Sequence, residues 1–241
     1  PGALCGGARS VIVCGVGYHR PPSAHEVASR IASYAHTRDY HLTIRERLNE
    51  LSAYLRELVP GASGRVFTDT APLAEKSWAV EAGLGWIGRN SLLANPRLGS
   101  FLLLGEVVTT AELEPDAPFV RDGCGTCRAC VDACPVAAIR PDRTIDAGRC
   151  ISRRTIETGD GDEGDLHGWL FGCDVCQRAC PYNRKAPVSV HDSFAPLAEL
   201  ERLDVDDWLG LDEAGFRRIF GETPLARCGL RRLQERIRRL K

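Results

Sequence analysis

Seven of the eleven cysteines lie in two short-gapped runs, each closed by Cys-Pro. The first is Cys124-x2-Cys127-x2-Cys130-x3-Cys134-Pro135, and the second is Cys173-x2-Cys176-x3-Cys180-Pro181. Each iron of a [4Fe–4S] cubane needs one thiolate, and two-residue gaps fold three thiolates around one cluster, while the Cys before Pro points to the neighbouring cluster. The second run is one ligand short, and Cys150, between the runs, supplies it. The crossed pattern assigns Cys124, Cys127, Cys130 and Cys180 to one cluster, and Cys134, Cys150, Cys173 and Cys176 to the other. Structural zinc also uses paired Cys-x2-Cys, but it rarely takes eight sulfurs in two Cys-Pro-terminated runs. Two clusters make an electron conduit. Cys5, Cys14 and Cys228 lie outside the runs and read as ordinary buried thiols.

A chain of 241 residues corresponds to one or two domains at about 150 residues each. Cysteine is clustered rather than spread, in a chain too long for a small secreted disulfide scaffold, which points to a reducing, cytoplasmic setting. No apolar run reaches the roughly 18 residues of a membrane span, and no signal-peptide pattern opens the chain. The sequence contains no methionine, so a natural start upstream of Pro1 is expected. Net charge is −1, which by itself gives no argument for nucleic acid. Acidic residues gather at 157–165 (Glu157, Asp160, Asp162, Glu163, Asp165), and basic ones at the C-terminus (Arg231, Arg232, Arg236, Arg238, Arg239, Lys241). A basic C-terminal helix could touch phosphates, although a solvated face is the simpler reading.

Three stretches follow along the chain. Over 1–111 strands alternate with helices: SVIVCGVGY (10–18) and RVFTD (65–69) read as strands, as does SFLLLGEVVT (100–109). Between them Ile44, Leu48, Leu51, Leu55 and Leu58 recur at helical spacing over 42–58, and a second helix is expected over 73–82. This predicts an α/β domain. Residues 112–190 read as a bacterial ferredoxin-like domain organised by two [4Fe–4S] clusters, and 191–241 as a short helical segment with helices near 205–220 and 225–240.

Two motifs mislead. Gly83-Leu-Gly85-Trp-Ile-Gly88 matches a dinucleotide fingerprint, but it follows a helical stretch instead of a strand, so Gly83 is better read as a helix cap. The base-off cobalamin signature Asp-x-His-x-x-Gly is absent; Asp165-Leu-His167-Gly comes nearest. By pattern alone Asp69, before Pro72, marks a helix start, and Arg38-Asp39-Tyr40-His41 reads as a cap.

In combination the motifs say more. RDYHLTIRERL (38–48), FTDTAPLAEKSWAVEAGLGWIGRNSLL (67–93), GSFLLLGEV (99–107), the two cysteine runs and RCISRRTIE (149–157) occur in an order that resembles the epoxyqueuosine reductase family. The resemblance covers about residues 9–190. It implies an α/β cobalamin-binding domain that reduces epoxyqueuosine to queuosine in the tRNA anticodon loop, using cob(I)alamin fed by the clusters. Asp69 matches the family's catalytic proton donor, and Ile31, Leu93, Leu104, Ser152 and Asp174 fall at or beside its cobalamin contacts, as does Asp69 itself. For Asp69 to donate near neutral pH, its pKa is expected to be raised by burial beside the corrin. Partners implied are a tRNA carrying epoxyqueuosine and an external electron donor such as flavodoxin or ferredoxin, with a monomeric, cytoplasmic enzyme and no membrane. Arg153, Arg154, Arg184 and Lys185 are candidate phosphate contacts.

The sequence departs from the family pattern in places. Arg153 stands where an aromatic residue commonly follows Cys-Ile-Ser, and the C-terminal helix has Arg-Leu-Gln-Glu in place of an Arg-Asn pair. A family segment upstream of Pro1 and a helical-repeat domain downstream are also expected to be missing. The alternatives are a two-cluster ferredoxin-like electron-transfer protein, or a related corrinoid reductase acting on a small molecule such as an organohalide.

Overall fold

The computed structural model describes residues 1–157 and 164–240. Asp160, Asp162 and Glu163 of the acidic stretch, and Lys241 of the basic one, lie outside the described residues. A three-stranded sheet organises the first half. Its strands are β1 (Ser10–Gly17), β2 (Gly64–Phe67) and a third over Leu102–Thr109, which lies between them and pairs antiparallel with both. The helix α1 (Tyr40–Leu58) covers one face. Asp39 caps it by accepting from the His41 backbone N–H at 2.9 Å, which satisfies one orphan donor of the first turn. Ile44, Leu48 and Leu55 are buried against the sheet, whereas Leu58, the last residue of the predicted stripe, is 60% exposed. A side chain at Gly105 would meet Ile44 Cγ2 at 2.6 Å and Leu48 Cδ1 at 2.8 Å, so glycine lets α1 sit close to the central strand.

On the other face lies α2 (Glu75–Glu81). Gly83 has φ +76°, with its N–H bonded to Val80 O at 3.0 Å and the Leu84 N–H bonded to Ala79 O at 2.9 Å. That is a Schellman cap. The glycine motif therefore ends a helix, and the chain passes on into the small hairpin β3 (Trp86–Ile87) and β4 (Leu93–Ala94) before the central strand, β5 (Leu102–Thr109).

The cysteine-bearing stretch has three short helices, α3 (Ala129–Ala133), α4 (Ile151–Ile156) and α5 (Val175–Arg178). Asn183, 2% exposed, ties it to the sheet's loops: its Oδ1 accepts from Ser100 N–H at 2.6 Å, and its Nδ2 donates to Gln177 O at 2.6 Å. Gln177 Nε2 in turn donates to Ser100 O at 2.7 Å.

The C-terminal stretch forms α6 (Val205–Gly210), α7 (Glu213–Phe220) and α8 (Leu230–Arg238). The single helix expected over 205–220 is thus two, because Asp212 starts a new one by accepting from Gly215 N–H at 2.7 Å. These helices, with the turn at Pro224–Arg227 between the last two, bury Trp208, Phe220, Leu225, Leu233 and Ile237 against Val27, Ile31, Leu170 and Phe171. The largest core therefore spans all three expected stretches. Arg236 belongs to it: only 3% exposed, it donates to Leu170 O at 2.6 Å, so this part of the basic helix faces inward and is not available to phosphates. Cys5 and Cys228 are buried as expected, and Cys14 is half-buried. Trp208 has no exposed surface and stacks on Phe220 at 4.8 Å. Trp208→Ala should cost about 3–5 kcal/mol of stability, read as a lower denaturant midpoint.

Candidate active site

Two cavities sort the eight thiols. Cys124, Cys127, Cys130 and Cys180 line one, together with Trp86 and Tyr182. Cys134, Cys150, Cys173 and Cys176 line the other. The fold thus brings together the two sets of the crossed pattern, with the last cysteine of each run delivered to the other set. Among the described residues no three His, Cys, Asp or Glu side chains converge as for a single metal ion. Four thiols around a cavity suit a cubane, whose irons each take one. Cys127 is exposed, so the first set lies nearer solvent. The Trp86 indole N–H points at Cys124 Sγ at 3.3 Å.

The second cavity is the larger functional space, about 550 Å³. Leu92, Leu93 and Leu102 to Leu104 give it apolar walls, Ser152 stands on α4, and Asp69 lies at its rim. Asp174 also borders it but is 1% exposed, and its carboxylate is engaged: Ser33 donates from N–H at 2.9 Å and from Oγ at 2.6 Å, and Arg178 at 3.2 Å. Ile31 is not among the lining residues. It is 1% exposed, bridged through its backbone to Phe171 and packed in the core.

Asp69 follows β2 with φ +56°, a left-handed conformation that side chains other than glycine adopt at a cost. Its Oδ2 accepts from Tyr40 O–H at 2.8 Å and lies 3.4 Å from His41 Nε2. His41 Nδ1 is 2.6 Å from Asp39 Oδ1, so the ring sits between two carboxylates, and Arg227 lies against it. Tyr40 and His41 thus form a proton network with Asp69. Pattern reading assigned them only to a cap; the Arg38–His41 motif was visible, but its contact with Asp69 is tertiary.

The electrostatics run opposite to the expected raised carboxyl. The hydrogen bond from His41, more than the opposing effect of burial, holds Asp69 below the usual carboxylate range, with Tyr40 and Arg227 adding to it. Burial disfavours a charged His41, but the bonds to Asp39 and Asp69 outweigh it and raise its pKa to about 9. At neutral pH the proton sits on the imidazole and Asp69 is ionised. His41 therefore contributes stability that is complete below its ordinary value of 6.5 and is lost as pH rises through about 9. The lowered Asp69 contributes stability present above its ordinary 3.8 and lost as pH falls further. The difference in melting temperature between the natural chain and His41→Ala should be greatest near pH 5–6 and shrink above about pH 9.

A family model described as epoxyqueuosine reductase QueG, DUF1730, matches residues 1–70, and one described as a 4Fe-4S double cluster binding domain matches residues 123–183. The epoxyqueuosine reductase of Cyclobacterium marinum is 40% identical over 243 residues, covering 98% of this chain and 77% of that protein. This chain belongs to the epoxyqueuosine reductase family. Solved family members share the fold. The Streptococcus thermophilus epoxyqueuosine reductase superposes with a TM-score of 0.85 at 30% identity. An epoxyqueuosine reductase crystallised with an epoxyqueuosine-modified tRNA-Tyr stem loop gives 0.86 at 27%. In each case 98% of this chain is covered, and it spans 65% of the solved chain, just under two thirds. Among the described residues, no helix is long and apolar enough to cross a membrane.

Proposed function

We propose that the chain reduces epoxyqueuosine to queuosine in a tRNA anticodon loop, with cobalamin in the larger cavity and two [4Fe–4S] clusters feeding it electrons. The observation that carries this reading is the shared cavity: Asp69, Leu93, Leu104 and Ser152 open onto the same space as the thiols of Cys134, Cys150, Cys173 and Cys176. The leucine walls fit an apolar macrocycle, and the four thiols place the inner cluster's ligands at the wall of that space. When bound, cobalamin supplies a reduced cobalt nucleophile for the epoxide carbon, and the clusters supply its electrons singly.

The chain's residues handle the proton. Converting the epoxide to an alkene takes two electrons and two protons and releases the oxygen as water. Opening first leaves an alkoxide that needs one proton, the second reaching the departing oxygen from solvent, and an ionised Asp69 has none of its own. His41 Nε2 holds the proton 3.4 Å from Asp69 Oδ2, so Asp69 acts as the relay that takes it from the imidazole and delivers it to the opening oxygen. Tyr40 holds the carboxylate in place from its other neighbour. A splayed-out anticodon base suits such a recessed space, and Arg227, on the cavity lining, is placed to meet a phosphate. The solvent-side cluster at Cys127 is the entry point for an external donor such as flavodoxin or ferredoxin. We assign the working form as a cytoplasmic monomer.

Anaerobic reconstitution with iron, sulfide and hydroxocobalamin should give about eight iron and one cobalt per chain after desalting. The loaded chain should then convert an epoxyqueuosine-modified stem loop. Eight iron with neither cobalt nor conversion would favour the electron carrier and sink the reading.

A further inference from the structure

Glu106 is a carboxyl in a place that should hold a hydrocarbon. It lies on the central strand β5, paired in register with Val13 on β1 and Phe67 on β2, and has no exposed surface. Among the described residues no donor reaches either of its oxygens. The neighbouring group that acts on it is another carboxyl, that of Glu75 at the start of α2. With Glu106 wholly buried, ionising it beside a charged Glu75 is strongly disfavoured, and a hydrogen bond forms between the two only if one keeps its proton. Glu75 is already committed on its far side, where its Oε1 accepts the Asp69 backbone N–H at 2.5 Å. That amide belongs to the residue held at φ +56°.

We propose that Glu106 keeps a proton, which it donates to Glu75, and that this acid pair holds the Asp69 backbone in its left-handed, cavity-facing conformation. Glu75 and Glu106 are then positioning residues for the proton relay, a role that rests on Asp69 being that relay, while the shared proton itself does not. No atom is exchanged in this step: the proton stays on Glu106 Oε as donor, and Glu75 accepts it on one side and the Asp69 N–H on the other.

The surroundings agree. The groups facing the pair are Asp69 from the loop after β2, His41 from α1 and Cys14 from β1. Burial, then the charge of Glu75, raises Glu106 to about 8, and burial raises Glu75 as well. The proton is therefore held at neutral pH and leaves as pH rises through about 8, when two carboxylates would repel and Glu75 would lose its fixed position.

The test uses the whole chain without added cofactor, in two measurements. Infrared titration of the natural chain between about pH 6 and 10 should show a protonated-carboxyl C=O band that disappears near pH 8 and is absent from Glu106→Gln. Hydrogen exchange should show the Asp69 amide protected at pH 7, and its protection factor falling at least tenfold above pH 8. Glu106→Gln, whose amide still donates to Glu75, should keep the protection and lose its pH dependence. Glu75→Ala should lose the protection at every pH. A natural chain without a titrating carboxyl band in this range would overturn the proposal whether or not any variant folds. So would a Glu106→Gln chain whose Asp69 amide follows the same pH dependence as the natural one. If instead Asp69→Asn turned over normally, the relay reading would fail while the band and the protection persisted, so the two failures are distinguishable.

Discussion

Asp69→Asn should lower single-turnover conversion of an epoxyqueuosine-modified stem loop by about 10²- to 10⁴-fold, the range that a positioned proton donor contributes. Asparagine is nearly isosteric, and its carbonyl can still accept from Tyr40 O–H, so the loop after β2 should keep its place. The amide cannot pass on a proton taken from His41. Iron and cobalt content should match the natural chain, which separates a chemical defect from a failure to load. The pH profile supplies the second arm. The proton delivered originates on an imidazole raised to about 9, so turnover should fall above that pH as His41 empties. His41→Gln should remove that limb and leave a slower reaction fed from solvent. Full activity in Asp69→Asn with pre-reduced cobalamin would remove Asp69 from the mechanism.

How much of this was legible depended on whether the information was local. The helix at 40–58 could be read because Ile44, Leu48 and Leu55 repeat on one face, and the misleading glycine motif because a helix precedes it. The cysteine spacing even carried a tertiary statement, since the Cys-Pro geometry sends the last ligand of each run to the other cluster. Asp69's partners were not legible. Tyr40 and His41 stand 29 and 28 positions before it, at a helix start whose Asp39 cap accounts for the local pattern. The raised carboxyl expected for Asp69 rests on burial beside the corrin, whereas the imidazole that controls it arrives from α1. Glu106 was hidden for the opposite reason. Its strand reads as continuous apolar sequence, and one carboxyl in it gives no sign of whether it faces water, an arginine or a second carboxyl. Likewise, nothing between 191 and 241 announced that α6 to α8 would close over Val27 and Ile31.

The crossed thiol sets make the second large prediction. Cys180→Ser should bring iron in the reconstituted chain down from about eight to about four, and so should Cys134→Ser, since a [4Fe–4S] cluster that loses a thiolate is not retained well. Iron counting alone cannot tell which cluster remains, but the cavities can. Cys180 is adjacent to Cys176 in its run and yet shares a cavity with Cys124, Cys127 and Cys130, so its loss should leave the inner cluster intact. Because the inner thiols line the Asp69 cavity, the cluster surviving in Cys180→Ser should change its electron paramagnetic resonance spectrum when cobalamin is added. The one surviving in Cys134→Ser, on the solvent side, should not respond. If each run held its own cluster, Cys180→Ser would instead remove the cluster of Cys173 and Cys176, and the responses would be exchanged. The crossed assignment would also tie the two runs together, and the bonds from Gln177 and Asn183 to Ser100 fix the second run to the loop that leads into β5.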